Sequence, residues 1–299
     1  MRAFPYAPKN QKVFFIAEIG SNHNNSTYRL RQLIKGAKLA GCDAIKLQYY
    51  DPETLWSPEF PERREAARKG QTTFEMIEAA SEYCKEMKIG FGCSVFDVDL
   101  VTDISLSVDF LKIASYECMW KDLITTCKRT SKPLFLSTGM CDVLEVYHVA
   151  KMMWPTPDDC IFHCVSMYPT KIEDCRMDIL GLIVQTFKNN SYKNIGYSDH
   201  TTKPSVIYSA LSLGATIFEC HVDLNDGVGA ESKHGHCWNL HRLKNVIETC
   251  HEMKSLESVD PLMDNFSDRP DRKDLELRVD PTDGMRPMKE FRKKENGND

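Results

Sequence analysis

Short apolar runs recur along the chain, and most are followed by a stretch in which apolar residues return every three or four positions. The runs are VFFIAEI (13–19), AIKLQ (44–48), IGFGCSV (89–95), FLKIAS (110–115), PLFLST (133–138), CIFHCVS (160–166), NIGYS (194–198) and TIFECHV (216–222). Continuous rather than alternating hydrophobicity predicts strands buried on both faces, the habit of a parallel sheet. After the first run, a helical period over 28–40 predicts a helix closed by Gly41, and a second is predicted from about 73 to 88. The stretch between the second strand and that helix reads as a long polar segment carrying Pro52, Pro58 and Pro61. Every other gap is also long enough for a crossover helix. Eight such units predict a closed (β/α)8 TIM barrel over residues 1–255. A doubly wound open sheet is the alternative, but no GxGxxG or GxxxxGK[ST] follows any strand.

From Leu256 the pattern changes. Residues 256–299 hold twelve acids, nine bases and four prolines with little apolar period, which predicts a short polar C-terminal tail and no independent domain.

Composition narrows the function classes. The 299 residues carry 38 basic and 43 acidic side chains, a formal net charge of −5. Such a chain has no general electrostatic reason to bind nucleic acid or an anionic membrane, so any anion site must be local. No apolar run approaches a membrane span, and the N-terminal residues lack the apolar core of a secretory signal. Twelve cysteines are dispersed from Cys42 to Cys250 without CxxC spacing, as expected of reduced core thiols in a cytoplasmic protein.

In such a barrel the chemistry sits at the C-terminal ends of the strands. Those ends offer Glu18; Lys46 and Gln48; Ser94; Lys112, Ser115 and Glu117; Ser137; Ser166 and Tyr168; Ser198, Asp199 and His200; and Glu219, His221 and Asp223. Lys46 and Lys112 interrupt apolar strands, where a charge is costly unless it meets an anion. Two readings follow: a structural ion pair with Glu18 or Glu117, or a pocket for a small phosphate-bearing ligand with the serines as neutral donors. His200 and His221 end neighbouring strands about 4.8 Å apart, so they can share one divalent cation such as Mn2+. The cluster His234, His236 and Cys237 is a competing metal site, and His163 reads as a core histidine. Glu18, Glu117, Asp199 and Glu231 are the carboxylates available for acid–base work.

Seven motifs carry a family resemblance: AEIGSNHNN (17–25), KLQ (46–48), KIASYE (112–117), LSTGM (136–140), HCVSMYPT (163–170), GYSDHT (196–201) and LGATIFECHV (213–222). In this order they resemble the sialic-acid synthases, the phosphoenolpyruvate-dependent nonulosonate synthases, over roughly residues 13–250. The resemblance implies condensation of phosphoenolpyruvate with the aldehyde of an N-acetylmannosamine-type aldose, giving a nine-carbon 2-keto acid and phosphate. It implies a divalent metal, Mn2+ with Mg2+ or Co2+ as alternatives, held by His200 and His221. Lys46, Ser94, Lys112, Ser115, Ser137, Ser166 and Ser198 then match the phosphoenolpyruvate-binding set. Glu18 matches the acid–base group, while Gln48, Glu117 and Tyr168 match contacts to the sugar, with Lys46, Lys112 and Glu117 beside Glu18 in the catalytic set.

Three departures accompany the resemblance. Ser166 stands where the family often carries Asn, and Glu231 is the best match for an Asp after the eighth strand. The family's C-terminal antifreeze-like domain, which clasps a partner in a homodimer, has no counterpart in a 44-residue polar tail. In its place Arg286 or the basic cluster near it is expected to cover part of the site. Condensation with a different aldose and a catalytically silent sugar-binding barrel are the competing readings.

Overall fold

The computed structural model describes residues 13–188 and 191–256, and the described residues as far as Lys254 form one compact unit. Eight parallel strands, β1 (Phe14–Glu18), β2 (Ala44–Tyr49), β3 (Gly90–Val95), β4 (Phe110–Ile113), β5 (Leu134–Ser137), β6 (Cys160–His163), β7 (Asn194–Asp199) and β8 (Ile217–Asp223), pair in chain order. β1 also pairs with β8, so the sheet closes. A two-residue strand β9 (Trp238–Asn239) lies beside the end of β8. The (β/α)8 expectation therefore holds. The expectations for the tail at 256–299 and for Arg286 fall, beyond Leu256, outside the described residues.

The connecting helices are α1 (Thr27–Leu39), α2 (Pro52–Leu55), α3 (Pro61–Gly70), α4 (Phe74–Met87), α5 (Leu100–Ser105), α6 (Lys121–Arg129), α7 (Val143–Met152), α8 (Met177–Phe187), α9 (Pro204–Leu213) and α10 (Leu240–Ser255). Local chemistry explains their ends. Ser26, Thr73 and Asp142 cap α1, α4 and α7 by accepting backbone N–H bonds, and Asp142 with Glu145 completes a reciprocal capping box. The polar segment after β2 folds into α2 and α3. Each starts on a proline, and Arg64 and Arg68 pair with Glu53 across the two helices. With Ala67 the only buried residue of α3, no apolar period announced it.

Two cores result. One lies between the outward strand residues and the helices, and includes Phe15, Ile45, Leu111, Leu136 and Phe218. The other fills the lower barrel with Phe14, Ile16, Ala44, Phe110, Phe135, Cys160, Phe162 and Ile217. The rings of Phe110, Phe135 and Phe162 follow one another at centroid distances of 4.7 and 5.6 Å. Gly92 and Gly196 make room for them: a Cβ would stand 2.1 Å from Phe110 and 2.4 Å from Phe162. This floor leaves the upper barrel as the place where polar side chains gather.

Candidate active site

Above the phenylalanines the interior becomes polar within one side-chain layer. The register sets Glu18 opposite both Lys46 and His221, Ser94 opposite Lys112, and Ser198 opposite Glu219. Lys46 forms an ion pair with Glu18 and donates to Ser94 Oγ at 2.6 Å. Lys112 meets Glu219 at 2.9 Å and stands 4.5 Å above the Phe162 ring, where polar and apolar layers touch. Glu219 also accepts from Ser198 Oγ at 3.2 Å. Lys112 therefore pairs with Glu219 and not with Glu117, a correction to the sequence reading. The structure has the Lys46–Glu18 ion pair in an interior that also gathers the serine hydroxyls.

Burial dominates the electrostatics. It raises the Glu18 carboxyl above the ordinary range despite Lys46. Burial works against charge on Lys46, but Glu18 and Glu219 outweigh it and hold its pKa up. Burial would likewise raise Glu219, yet the ammonium groups of Lys112 and Lys46 reverse the effect and hold it low.

The motif after β1 organises the far side of the site. Asn22 donates to Val222 O at 2.9 Å and accepts the Glu231 N–H at 2.8 Å, while Asn24 bonds Val228 O and the Ala230 N–H. These bonds dock the loop after β8, which carries Glu231 and His236. Glu231 accepts from the Ser21 N–H at 2.6 Å and lies 2.8 Å from His221 Nδ1. Gly20 adopts φ +51, and any Cβ there would strike the Glu231 carboxylate at 2.0 Å. Burial opposes ionisation of Glu231, but His221, His236 and the Ser21 N–H hold its pKa far below the usual range. His221 is raised: burial works against its charge, and Glu231 wins.

His221, Glu231 and His236 each offer a ligand atom, all within 4.8 Å of one another. His200 stands beside this set, with its ring 5.4 Å from that of His221 and its Nδ1 2.7 Å from Val165 O. Its pKa is pushed down to about 3 by burial and by His221, so it is a neutral imidazole. The histidines expected to pair are thus neighbours, but the three-donor set uses His236 of the competing cluster. Nothing local to HGHC signalled this; the Asn22 and Asn24 bonds that fold the loop back are the cause. The donors fit a divalent ion: two imidazoles and one carboxylate is a borderline set, and the buried His236 Nδ1 has no hydrogen-bond partner.

A cavity of about 290 Å³ opens beside these donors, lined by Gln48, Leu55, Trp56, Phe96, Ala114, Tyr116, Glu117, Tyr168, His221, Glu231 and His236. It brings together Gln48, Glu117 and Tyr168, the residues matched to sugar contacts, with Glu231 beside them. The Tyr168 ring packs 4.2 Å from His200. Burial pushes Glu117 up to about 7, and its Oε2 has no hydrogen-bond partner. Beyond the ends of β4 and β6, Ser115 Oγ accepts the Gly139 N–H at 3.0 Å and touches Cys164 Sγ at 3.2 Å, while the buried Ser166 Oγ has no partner. Ser137 is buried at the end of β5.

Two carboxylates leave the candidate list. Asp199 accepts from Thr201, the Thr202 N–H and Trp238 Nε1, bonds that brace the turn into α9 and the docking of β9. Asp223 is held by Arg29, Ser232 and the Gly229 N–H. His163, buried with Nε2 2.9 Å from Cys175 O, is a core histidine.

The sequence profile of the NeuB family matches residues 33–259. The chain belongs to the NeuB family. Its curated relatives include an uncharacterized protein of Methanocaldococcus jannaschii, 32% identical over 223 residues, covering 74% of this chain and 65% of the relative. The N-acetylneuraminate-9-phosphate synthase of Drosophila melanogaster is 29% identical over 231 residues, 71% of this chain and 60% of that protein. The N,N'-diacetyllegionaminic acid synthase of Legionella pneumophila is 28% identical over 265 residues, 81% of this chain and 72% of that one. This NeuB-family chain thus spans less than two thirds of the length of the first two relatives. In fold it resembles a sialic acid synthetase from Leptospira borgpetersenii solved with citrate, with a TM-score of 0.80 at 24% identity over 90% of this chain and 92% of that one.

Proposed function

We propose that this NeuB-family chain condenses phosphoenolpyruvate with the open-chain aldehyde of an N-acetylmannosamine-type aldose, releasing phosphate and a nonulosonate 2-keto acid. The observation that carries the reading is one continuous polar site. Two buried ammonium groups with serine hydroxyls stand on one side of Glu18, and a histidine–carboxylate set with a sugar-sized cavity stands on the other. The synthase names of several relatives support the same chemistry.

Lys46 and Lys112 hold the carboxylate and phosphate of phosphoenolpyruvate, with Ser94, Ser115, Ser137, Ser166 and Ser198 as neutral donors. The Ser166 Oγ lacks a partner and is available to an incoming oxygen. Glu18 sits between the lysine side and the histidine side, where it exchanges a proton with the reacting groups. Gln48, Glu117 and Tyr168 orient the sugar, and Glu117 is poised near neutrality to accept or donate a hydroxyl proton. A divalent ion, for which Mn2+ is our choice, would be held by His221, Glu231 and His236 with His200 adjacent, and would supply Lewis-acid polarisation of the aldehyde oxygen. The same fit leaves Mg2+ or Co2+ open to measurement.

The test is phosphate release from phosphoenolpyruvate with Mn2+ across a panel of aldoses. Release with N-acetylmannosamine or its 6-phosphate is expected. Release with erythrose or arabinose alone would move the acceptor to a short aldose, and no release with any would leave a binding barrel.

A further inference from the structure

Cys118 and Cys141 lie on different loops, after β4 and after β5, yet their sulfur atoms stand 3.1 Å apart. That is inside ordinary sulfur–sulfur contact and about 1 Å longer than a disulfide bond. Both loops adjoin site residues: Cys118 follows Glu117, and Cys141 lies four residues after Ser137, at the mouth of α7. The Ser115 hydroxyl already ties them by accepting the Gly139 N–H at 3.0 Å. Cys118 is buried, whereas Cys141 is half-buried and lines a separate cavity of about 410 Å³ with Thr138, Gly139 and Asp142. A small reagent can therefore reach one sulfur while the other waits behind it. Most other cysteines, among them Cys42, Cys93, Cys127, Cys160 and Cys220, are buried in the packed cores or the sheet.

We infer that Cys118 and Cys141 form a dithiol modification site, which an alkyl or hydrogen hydroperoxide converts to an intrachain disulfide linking the two loops. Loss of one proton from the pair leaves a thiolate that accepts the S–H of its neighbour, and the sulfur that meets the peroxide is that of Cys141, which faces the cavity. The thiolate attacks the distal peroxide oxygen: an S–O bond forms, the O–O bond breaks, and the alcohol or water leaves with a proton. The second thiol then attacks that sulfur; the S–S bond forms, the S–O bond breaks, and water leaves. In total two thiols and one hydroperoxide give one disulfide, one alcohol (or water) and one water, with two electrons passing from sulfur to peroxide. The bond clamps the Glu117 loop to the Gly139 loop.

The inference stands apart from the proposed condensation and is tested without substrate. The folded chain is treated with tert-butyl hydroperoxide, alkylated and digested without reductant. The expected result is a linked peptide pair containing Cys118 and Cys141, loss of two of the twelve free thiols, and recovery of both with dithiothreitol. Cys141→Ser and Cys118→Ser, each confirmed folded by its melting curve, should yield no linked pair. Sulfinic acid at Cys141 without a crosslink, a crosslink elsewhere, or a full thiol count after treatment would overturn the inference.

Discussion

The lower and upper halves of the barrel interior are built from the same eight strands and hold opposite contents. Below, eight apolar residues fill the space with three consecutive phenylalanine rings, helped by two glycines that yield their side-chain volume. Above, Glu18, Lys46, Lys112 and Glu219 are buried in ion-paired contacts, each at most 5% exposed. Apolar packing stabilises outright, whereas buried ion pairs at best offset the cost of removing two charges from water. The fold alone could have continued the phenylalanine stack. That it does not, at the end of the barrel where the loops form cavities, is what the proposed function requires of the upper layer.

The contrast can be broken from below by Phe135→Ala, which removes the central ring. We expect a loss of about 4 kcal/mol in stability by denaturant unfolding, with phosphoenolpyruvate affinity of the folded fraction unchanged. From above, Lys112→Met leaves Glu219 with the Ser198 hydroxyl and the more distant Lys46, and should cost about 3 kcal/mol. Here ligand affinity should fall as well, so the two variants separate stability from binding.

Glu117→Gln sharpens the comparison through pH. The folded pKa of Glu117 is raised, so the folded state holds a proton that the unfolded state has lost between about pH 4.5 and pH 7. Its contribution to stability therefore falls as pH rises through that window. The Gln variant should be more stable than the parent by about 3 kcal/mol at pH 8 and equal to it near pH 4, as read from urea midpoints. A smaller effect is expected from His236→Ala. Mn2+ affinity, measured by the metal-induced rise in melting temperature, should drop about tenfold. An unchanged affinity would return the metal to His200 and His221 alone.

Much of this was legible in the chain. The apolar runs located all eight strands to within a few residues, because strands covered on both faces must be apolar throughout. The lysines at 46 and 112 stood out for the same reason. Their partners were harder: Lys112 and Glu219 are 107 residues apart, and only barrel closure makes them neighbours. Glu117, nearer in sequence, leaves β4 before it can turn inward. His236 was named only with its own cluster, and its meeting with His221 was equally hidden, since the bonds that carry its loop there come from Asn22 and Asn24 at the other end of the chain. Helices α2 and α3 were missed because they are held by arginine–glutamate pairs and proline starts, not by a buried stripe.

The most direct measurement of the central claim is a calorimetric titration of phosphoenolpyruvate into Lys112→Met/Glu219→Leu, in Mn2+ and beside the parent protein. Replacing the whole pair by apolar groups removes the charges without stranding one of them. We expect the double variant to melt no lower than the parent and to bind phosphoenolpyruvate at least about a hundredfold more weakly. A variant that binds as tightly as the parent would show that the upper layer is structural and would contradict the account.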